Sequence, residues 1–220
     1  MSKGKLQKFN DMKEFSNVVQ PAFENFYSDI DLKGNWNNWF KNKNPIVLEL
    51  GCGKGEYTVG LAQKNLDKNF IGIDIKGSRM WKGAKFALEN NLSNVGFLRI
   101  RIEQLTHCFL KEEVEEIWIT FPDPQKKIKR SKKRLTHPSF INKYQNILKE
   151  KGLIHLKTDS KLLHAYTLGV VSGMQLHLVN STSDLYKSSF KDICLGIKTF
   201  YEKMFLLQSK PITYCSFRTN

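Results

Sequence analysis

Asp123 stands between Pro122 and Pro124 at the end of the short apolar run "EIWITF", and seven of the nine residues at 126–134 are Lys or Arg. Proline on both sides restricts the backbone and so fixes where the carboxylate points. The cations behind it attract a polyanion, most simply nucleic acid. Together they could dock a phosphate-linked substrate and present one negative charge to a single group on it. Asp beside Pro also closes ordinary turns, and a basic run can be a solvated loop or a localisation signal; their adjacency favours the chemical reading. A second acid, Glu49, precedes Gly51, Gly53 and Gly55, and Asp74 follows 21 residues after Gly53. Glycines permit a tight turn and a close approach of ligand to backbone. Lys54 is not followed by Ser or Thr, which disfavours a P-loop. Asp74 is spaced to hold ribose hydroxyls, but Glu49 would repel the pyrophosphate of a dinucleotide and attract an ammonium or sulfonium. S-adenosylmethionine carries both cations and no phosphate. A methyl donor is therefore the better reading, against a Glu49 that merely caps a helix or pairs with a lysine.

These residues need a scaffold that gathers them. "IVLEL" (Ile46–Leu50) reads as a buried strand, then a glycine turn, then a helix with Val59, Ala62 and Leu66 on one face. Residues 70–75 form a second strand, followed by a helix with Met80, Ala84, Ala87 and Leu88 inward. Strands are expected at 95–100, 116–121 and 152–158, with a helix opening near Pro138 that carries Phe140, Tyr144, Ile147 and Leu148. Leu163, Tyr166 and Val170 suggest another helix, and "LHLVNST" and "TFYEKMFLLQ" two final strands. Alternating strands and helices imply an α/β fold, a mostly parallel seven-stranded sheet covered on both faces. Ligands then sit beyond the carboxyl ends of the strands. Residues 1–44 read as a basic, aromatic-punctuated segment with a helix around 15–27, and residues 45–220 as the domain that carries the chemistry.

The totals narrow the class. The chain has 220 residues, 40% hydrophobic and 12% aromatic, with a net charge of +14; this fits one sizeable domain with a packed core. Half of the excess charge lies in 126–134, and no acid occurs between Asp123 and Glu150. Cys52, Cys108, Cys194 and Cys215 are scattered, which argues against a disulfide framework and for a reducing cytoplasm. His107, His137, His155, His164 and His177 show no metal-ligand spacing. No apolar run approaches a membrane span, and the polar start has no signal-peptide core.

The sequence "FPDPQKKIKRSKKRLTHPSF" (residues 121–140) resembles the signature of the bacterial tRNA (guanine-N7-)-methyltransferases: F-x-D-P-W-x-K, a basic segment, then R-L. "LELGCGKGEY" is similar to their cofactor loop, "HLKTDS" to a strand end carrying an acid, and "TFYE" to their T-x-[FY]-E, all in family order. The resemblance covers residues 45–207. It implies a Rossmann-like class I methyltransferase that transfers a methyl group from S-adenosylmethionine to N7 of the variable-loop guanine 46 of tRNA. By the same resemblance Glu49, Gly51, Gly53 and Asp74 hold the cofactor, Arg101 and Ile102 lie along its adenine, and Asp123 is the catalytic acid residue at the methyl group. Lys127 and Asp159 would contact the substrate, Thr199, Phe200, Tyr201 and Glu202 would complete the guanine pocket, and Lys129, Arg130, Ser131, Lys132, Lys133 and Arg134 would meet tRNA phosphates. Two positions depart from the pattern: Gln125 replaces the usual Trp, and Arg101 stands where an acid often meets the adenine amine, with Glu103 two residues on.

Three rivals remain at this level. One is a methyltransferase of the same fold acting on another RNA or on protein, the second a non-catalytic RNA-binding domain, and the third an NAD-dependent oxidoreductase, which Glu49 disfavours. Monomer and homodimer are both open.

Overall fold

The computed structural model describes residues 3–22 and 28–219. In chain order the elements are α1 (Lys3–Glu14), β1 (Val18–Val19), α2 (Trp36–Phe40), β2 (Ile46–Leu50), α3 (Glu56–Lys64), β3 (Asn69–Ile73), α4 (Gly77–Glu89), β4 (Val95–Leu98), α5 (Leu105–Cys108), β5 (Val114–Thr120), α6 (Pro138–Gln145), β6 (Leu148–Thr158), α7 (Lys161–Gly173), β7 (His177–Thr182), α8 (Phe200–Leu207) and β8 (Thr213–Arg218). The strands form one sheet in the order β1-β4-β3-β2-β5-β6-β8-β7. Every pairing is parallel except those of β8, which runs antiparallel to both β6 and β7. No helix among the described residues is long and apolar enough to cross a membrane.

The two faces of the sheet are covered by separate apolar layers. Side chains of a strand alternate between faces, and β2 follows this: Ile46, Leu48 and Leu50 pack with α5, α6 and α7, whereas Val47 packs with α3 and α4. Glu49 shares the parity of Val47 and so points toward α3. The chain leaves β2 toward β3 and β4 and later returns to β5 on the other side of β2. The strand order thus reverses at β2, where a crevice opens beyond the strand ends.

The sheet has eight strands rather than the expected seven, and its composition differs at two places. "TFYEKMFL" is helix α8, not a strand. Thr199 is its N-cap: its hydroxyl accepts from the Glu202 amide at 3.3 Å, and the Glu202 carboxylate accepts from the Thr199 amide at 3.3 Å. This reciprocal pair is a capping box, and it starts a helix whatever the β-propensity of Phe and Tyr. The strand that fills the vacated place is β8, buried along nearly its whole length. The extra strand is β1, whose two valines pair with Phe97 and Leu98 at the sheet edge.

The expected helix around 15–27 is replaced in its first part by β1; residues 23–27 lie outside the described residues. Trp36 and Phe40 of α2 are buried in the core, where Trp36 stacks on Phe109 at 5.3 Å and its indole NH donates to the Cys108 carbonyl at 2.9 Å. The described part of the first 44 residues is thus built into the same sheet and core as the rest.

Candidate active site

The crevice at the strand reversal is a cavity of about 430 Å³ at the carboxyl ends of β2, β3 and β5, within the size range of small-molecule sites. Its floor and walls include Glu49, Gly51, Gly53, Asp74, Ile102 and Thr120, and its mouth is formed by Pro122, Asp123, Gln125, Lys133, Phe200 and Tyr201.

Glu49 is 3% exposed. Its Oε2 accepts from the Thr58 amide at 2.8 Å and from the Thr58 hydroxyl; its Oε1 accepts from the Thr120 hydroxyl at 2.5 Å. Burial pushes its carboxyl up to about 7, against the lowering effect of the hydrogen bonds from Thr120 and Thr58. A buried carboxylate without a cation is costly, so the site favours a positively charged ligand group. Asp74 is fixed by two backbone amides, Gly53 at 3.0 Å and Lys76 at 2.8 Å. Gly51, Gly53 and Gly55 all adopt positive φ. At Gly55 (φ 72°) a Cβ would also lie 2.6 Å from the Phe97 ring, so α3 could not begin so close to β4 with any other residue.

At the mouth, the Pro-Asp-Pro turn lies between two residues in the left-handed region, Phe121 (φ 47°) and Gln125 (φ 45°). For a bulky aromatic residue this conformation is strained and needs outside support. The Phe121 amide donates to the Lys157 carbonyl at 2.8 Å, and Arg134 donates from Nε to the Pro124 carbonyl at 3.3 Å and from Nη2 to the Gln125 carbonyl at 3.1 Å. Asp123 is exposed and lines the cavity, and its Oδ1 accepts from the Gln125 amide at 2.9 Å.

The basic run separates into two kinds of residue. Lys126, Lys127, Lys129, Arg130, Lys132 and Lys133 are exposed, the last four of them on a short 3-10 turn, Ile128–Lys133. Arg134, expected to meet phosphates, is instead 6% exposed, with its guanidinium 4.3 Å from the Tyr166 ring centre. It braces the turn that carries Asp123 rather than facing solvent. Arg134→Ala should therefore lower the unfolding free energy by about 1–3 kcal/mol, the cost of stranding buried hydrogen-bond partners. Lys132→Ala should change it by less than about 0.5 kcal/mol. Urea melts of the two variants separate these outcomes.

Four other expected residues sit away from the cavity lining. Glu202 is fully buried behind the wall made by Thr199, Phe200 and Tyr201, where its Oε1 is 2.8 Å from the equally buried Lys157 ammonium and accepts from the Tyr186 hydroxyl at 2.5 Å. Lys157 also donates to the Ile197 carbonyl at 3.2 Å. This pair ties α8 to β6 and holds the wall in place. Asp159 is half-buried at the end of β6, Lys127 lies outside the cavity on the basic turn, and Arg101 lines a neighbouring hollow, with its amide donating to Gln104 at 3.0 Å. Two residues not singled out from sequence also line the site, Thr120 and Glu56: Thr120, together with the buried Thr58 behind the lining, orients Glu49, and Glu56 accepts from the Phe200 amide at 2.8 Å, stitching α3 to α8. A hydroxyl two residues before a conspicuous Pro-Asp-Pro turn was the available signal for Thr120.

The donor set fits S-adenosylmethionine: a buried carboxylate suits its ammonium, a second cavity-lining carboxylate, Asp74, suits hydroxyl groups, and the glycine turn permits close contact. Among the described residues no group of three or more His, Cys, Asp and Glu side chains is placed to hold a metal ion.

The family model described as "Putative methyltransferase" matches residues 43–215. The tRNA (guanine-N(7)-)-methyltransferase of Christiangramia forsetii is 54% identical over 99% of this chain and 98% of its own length. This chain belongs to that family. The corresponding enzyme of Bacteroides thetaiotaomicron is 48% identical, over 99% of this chain and 86% of its own length. Among solved structures, the 16S rRNA methyltransferase KamB superposes with a TM-score of 0.66 at 14% identity, covering 88% of this chain and 95% of that one; the likeness establishes a class I methyltransferase fold. Within the family's T-x-[FY]-E motif, the structure separates a solvent-side pair, Phe200 and Tyr201, from the buried Glu202 that anchors them.

Proposed function

We propose that this chain transfers a methyl group from S-adenosylmethionine to N7 of guanine 46 in the variable loop of tRNA, in the cytoplasm. The observation that carries the reading is one cavity with a buried cation-seeking carboxylate, Glu49, at its floor and an exposed carboxylate, Asp123, at its mouth, beside six exposed Lys and Arg side chains. Close likeness to tRNA (guanine-N(7)-)-methyltransferases supports the base and the atom.

When bound, S-adenosylmethionine supplies a methyl group on a positively charged sulfur. Glu49 would hold the ammonium end and Asp74 the ribose hydroxyls, and Ile102, the member of the Arg101–Ile102 pair that lines the cavity, would lie beside the adenine. Guanine N7 has an exposed lone pair and is unprotonated at neutral pH, so no general base is needed. The lone pair forms the new N–C bond as the C–S bond breaks, and the sulfur keeps its electron pair. Alignment of such an in-line displacement is worth up to about 7–11 kcal/mol. Positive charge appears on the purine, and Asp123, held by the two prolines and Arg134, stabilises it as it develops. Phe200 and Tyr201 wall the base, Lys127 and Asp159 flank its entry, and the exposed cations of 126–133 take the phosphates, which position the RNA without selecting sequence.

Incubation with methyl-labelled S-adenosylmethionine and unmodified tRNA, followed by base mapping, tests the proposal. Label should appear as 7-methylguanosine at position 46 and vanish with a transcript carrying adenosine there. Label at another base or atom would refute it.

A further inference from the structure

A second groove, of about 380 Å³, begins where the cavity ends. Lys54, Glu56 and Phe200 line both, so the two are continuous around the start of α8. The groove runs between α3, α4 and α8, and four lysines border it: Lys54, Lys82, Lys198 and Lys203, all exposed. Among the described residues none of the four forms an ion pair, whereas Lys68 is paired with Glu115 and Glu116, and Lys85 with Glu89. The carboxylate in the groove, Glu56, accepts from the Phe200 amide. Two phenyl rings are open to solvent there, Phe86 at 42% and Phe200 at 54% exposure, and the Lys54 ammonium sits 4.7 Å from the Phe200 ring centre.

Uncompensated cations beside exposed aromatic faces make a surface suited to a nucleic-acid strand: phosphates meet the lysines and a base can lie on a ring. The position of the groove gives it a specific task. The methylated guanine lies within a chain, so RNA must both enter and leave the cavity. The 126–134 run adjoins the part of the cavity lining formed by Gln125 and Lys133, whereas the groove adjoins the part formed by Lys54, Glu56 and Phe200. We infer that the groove between α3, α4 and α8 binds the tRNA strand on the far side of the target guanine from the basic run. This rests on the methylation reading above and adds a second contact surface to it.

The test compares wild type with Lys82→Ala/Lys203→Ala, two residues outside the catalytic cavity, using unmodified tRNA transcript. Binding of S-adenosylhomocysteine and the melting temperature should stay unchanged, KM for tRNA should rise with kcat preserved, and the slope of log affinity against log salt should become shallower by about 0.7–0.9 for each lost phosphate contact. An unaltered slope and KM would overturn the inference, and so would an acidic peptide competing at these lysines while tRNA binding is unaffected. If wild type itself leaves guanine 46 unmodified, the methylation reading fails instead, and the salt slopes still report on the groove.

Discussion

Asp123→Ala should lower kcat for methyl transfer by about 10²–10³-fold, the range seen when one preorganised electrostatic partner of a transition state is removed. The Asp side chain is exposed and contributes no core contact, so the variant should fold normally. Its loss removes the acceptor for the Gln125 amide, but Arg134 still holds both neighbouring carbonyls, and the turn has independent support. Affinity for tRNA should therefore change little, because the six exposed cations remain. Asp123→Asn is the sharper comparison: it can keep the turn hydrogen bond and removes only the charge. If charge stabilisation is the role, Asn should be nearly as damaging as Ala under single-turnover conditions; if turn geometry is the role, Asn should restore most of the rate. Unchanged turnover in both variants would refute the assignment.

Glu49→Gln should weaken binding of S-adenosylhomocysteine, which retains the ammonium, by about 2–5 kcal/mol, the cost of truncating one member of a buried charge pair. The wild-type protein should also show a pH dependence that this variant lacks. The carboxyl is raised to about 7 in the free protein by burial. A raised carboxyl holds its proton longer in the folded than in the unfolded chain, so its contribution to stability is present below about pH 4.5 and is lost as pH rises through about 7. Ligand binding runs the other way, because the ammonium needs the ionised form. Affinity should level off near pH 8 and be about tenfold weaker at pH 6, approaching tenfold per unit below that. Calorimetry across pH 6–8 checks this; a flat profile, or a Gln variant that binds like wild type, would remove Glu49 from the ammonium site.

The parts of the site legible in sequence share one property: each depends on neighbours close in the chain. The glycine turn after a buried strand, the acid ending the next strand, and the Pro-Asp-Pro turn before seven cations all express local backbone constraints. Parallel-strand topology then sends such turns to the same edge of the sheet. The misassigned segment at Thr199 was also readable locally, since T-x-x-E before an apolar run is a capping-box pattern; alternation in "TFYEKMF" suggested a strand instead. Strand β8 lacked a clear local signal because both of its faces are buried, and a continuous run such as "TYCSF" has no decisive period.

Composition and spacing alone specified the α/β class, a pocket for a cationic methyl donor, and the approach of a polyanion. Which of the charges do which work depended on long-range packing. Arg134 belongs to the basic run by sequence, yet it is turned inward by the carbonyls of Pro124 and Gln125 and the ring of Tyr166. Glu202 belongs to a motif of pocket residues, yet Lys157, 45 positions earlier, draws it into the core. Lys54, Lys82, Lys198 and Lys203 are scattered along the chain and become one surface only when α3, α4 and α8 meet. Burial decides whether a charge must find a protein partner or stays available to a ligand, and burial is set by contacts between residues far apart in the chain.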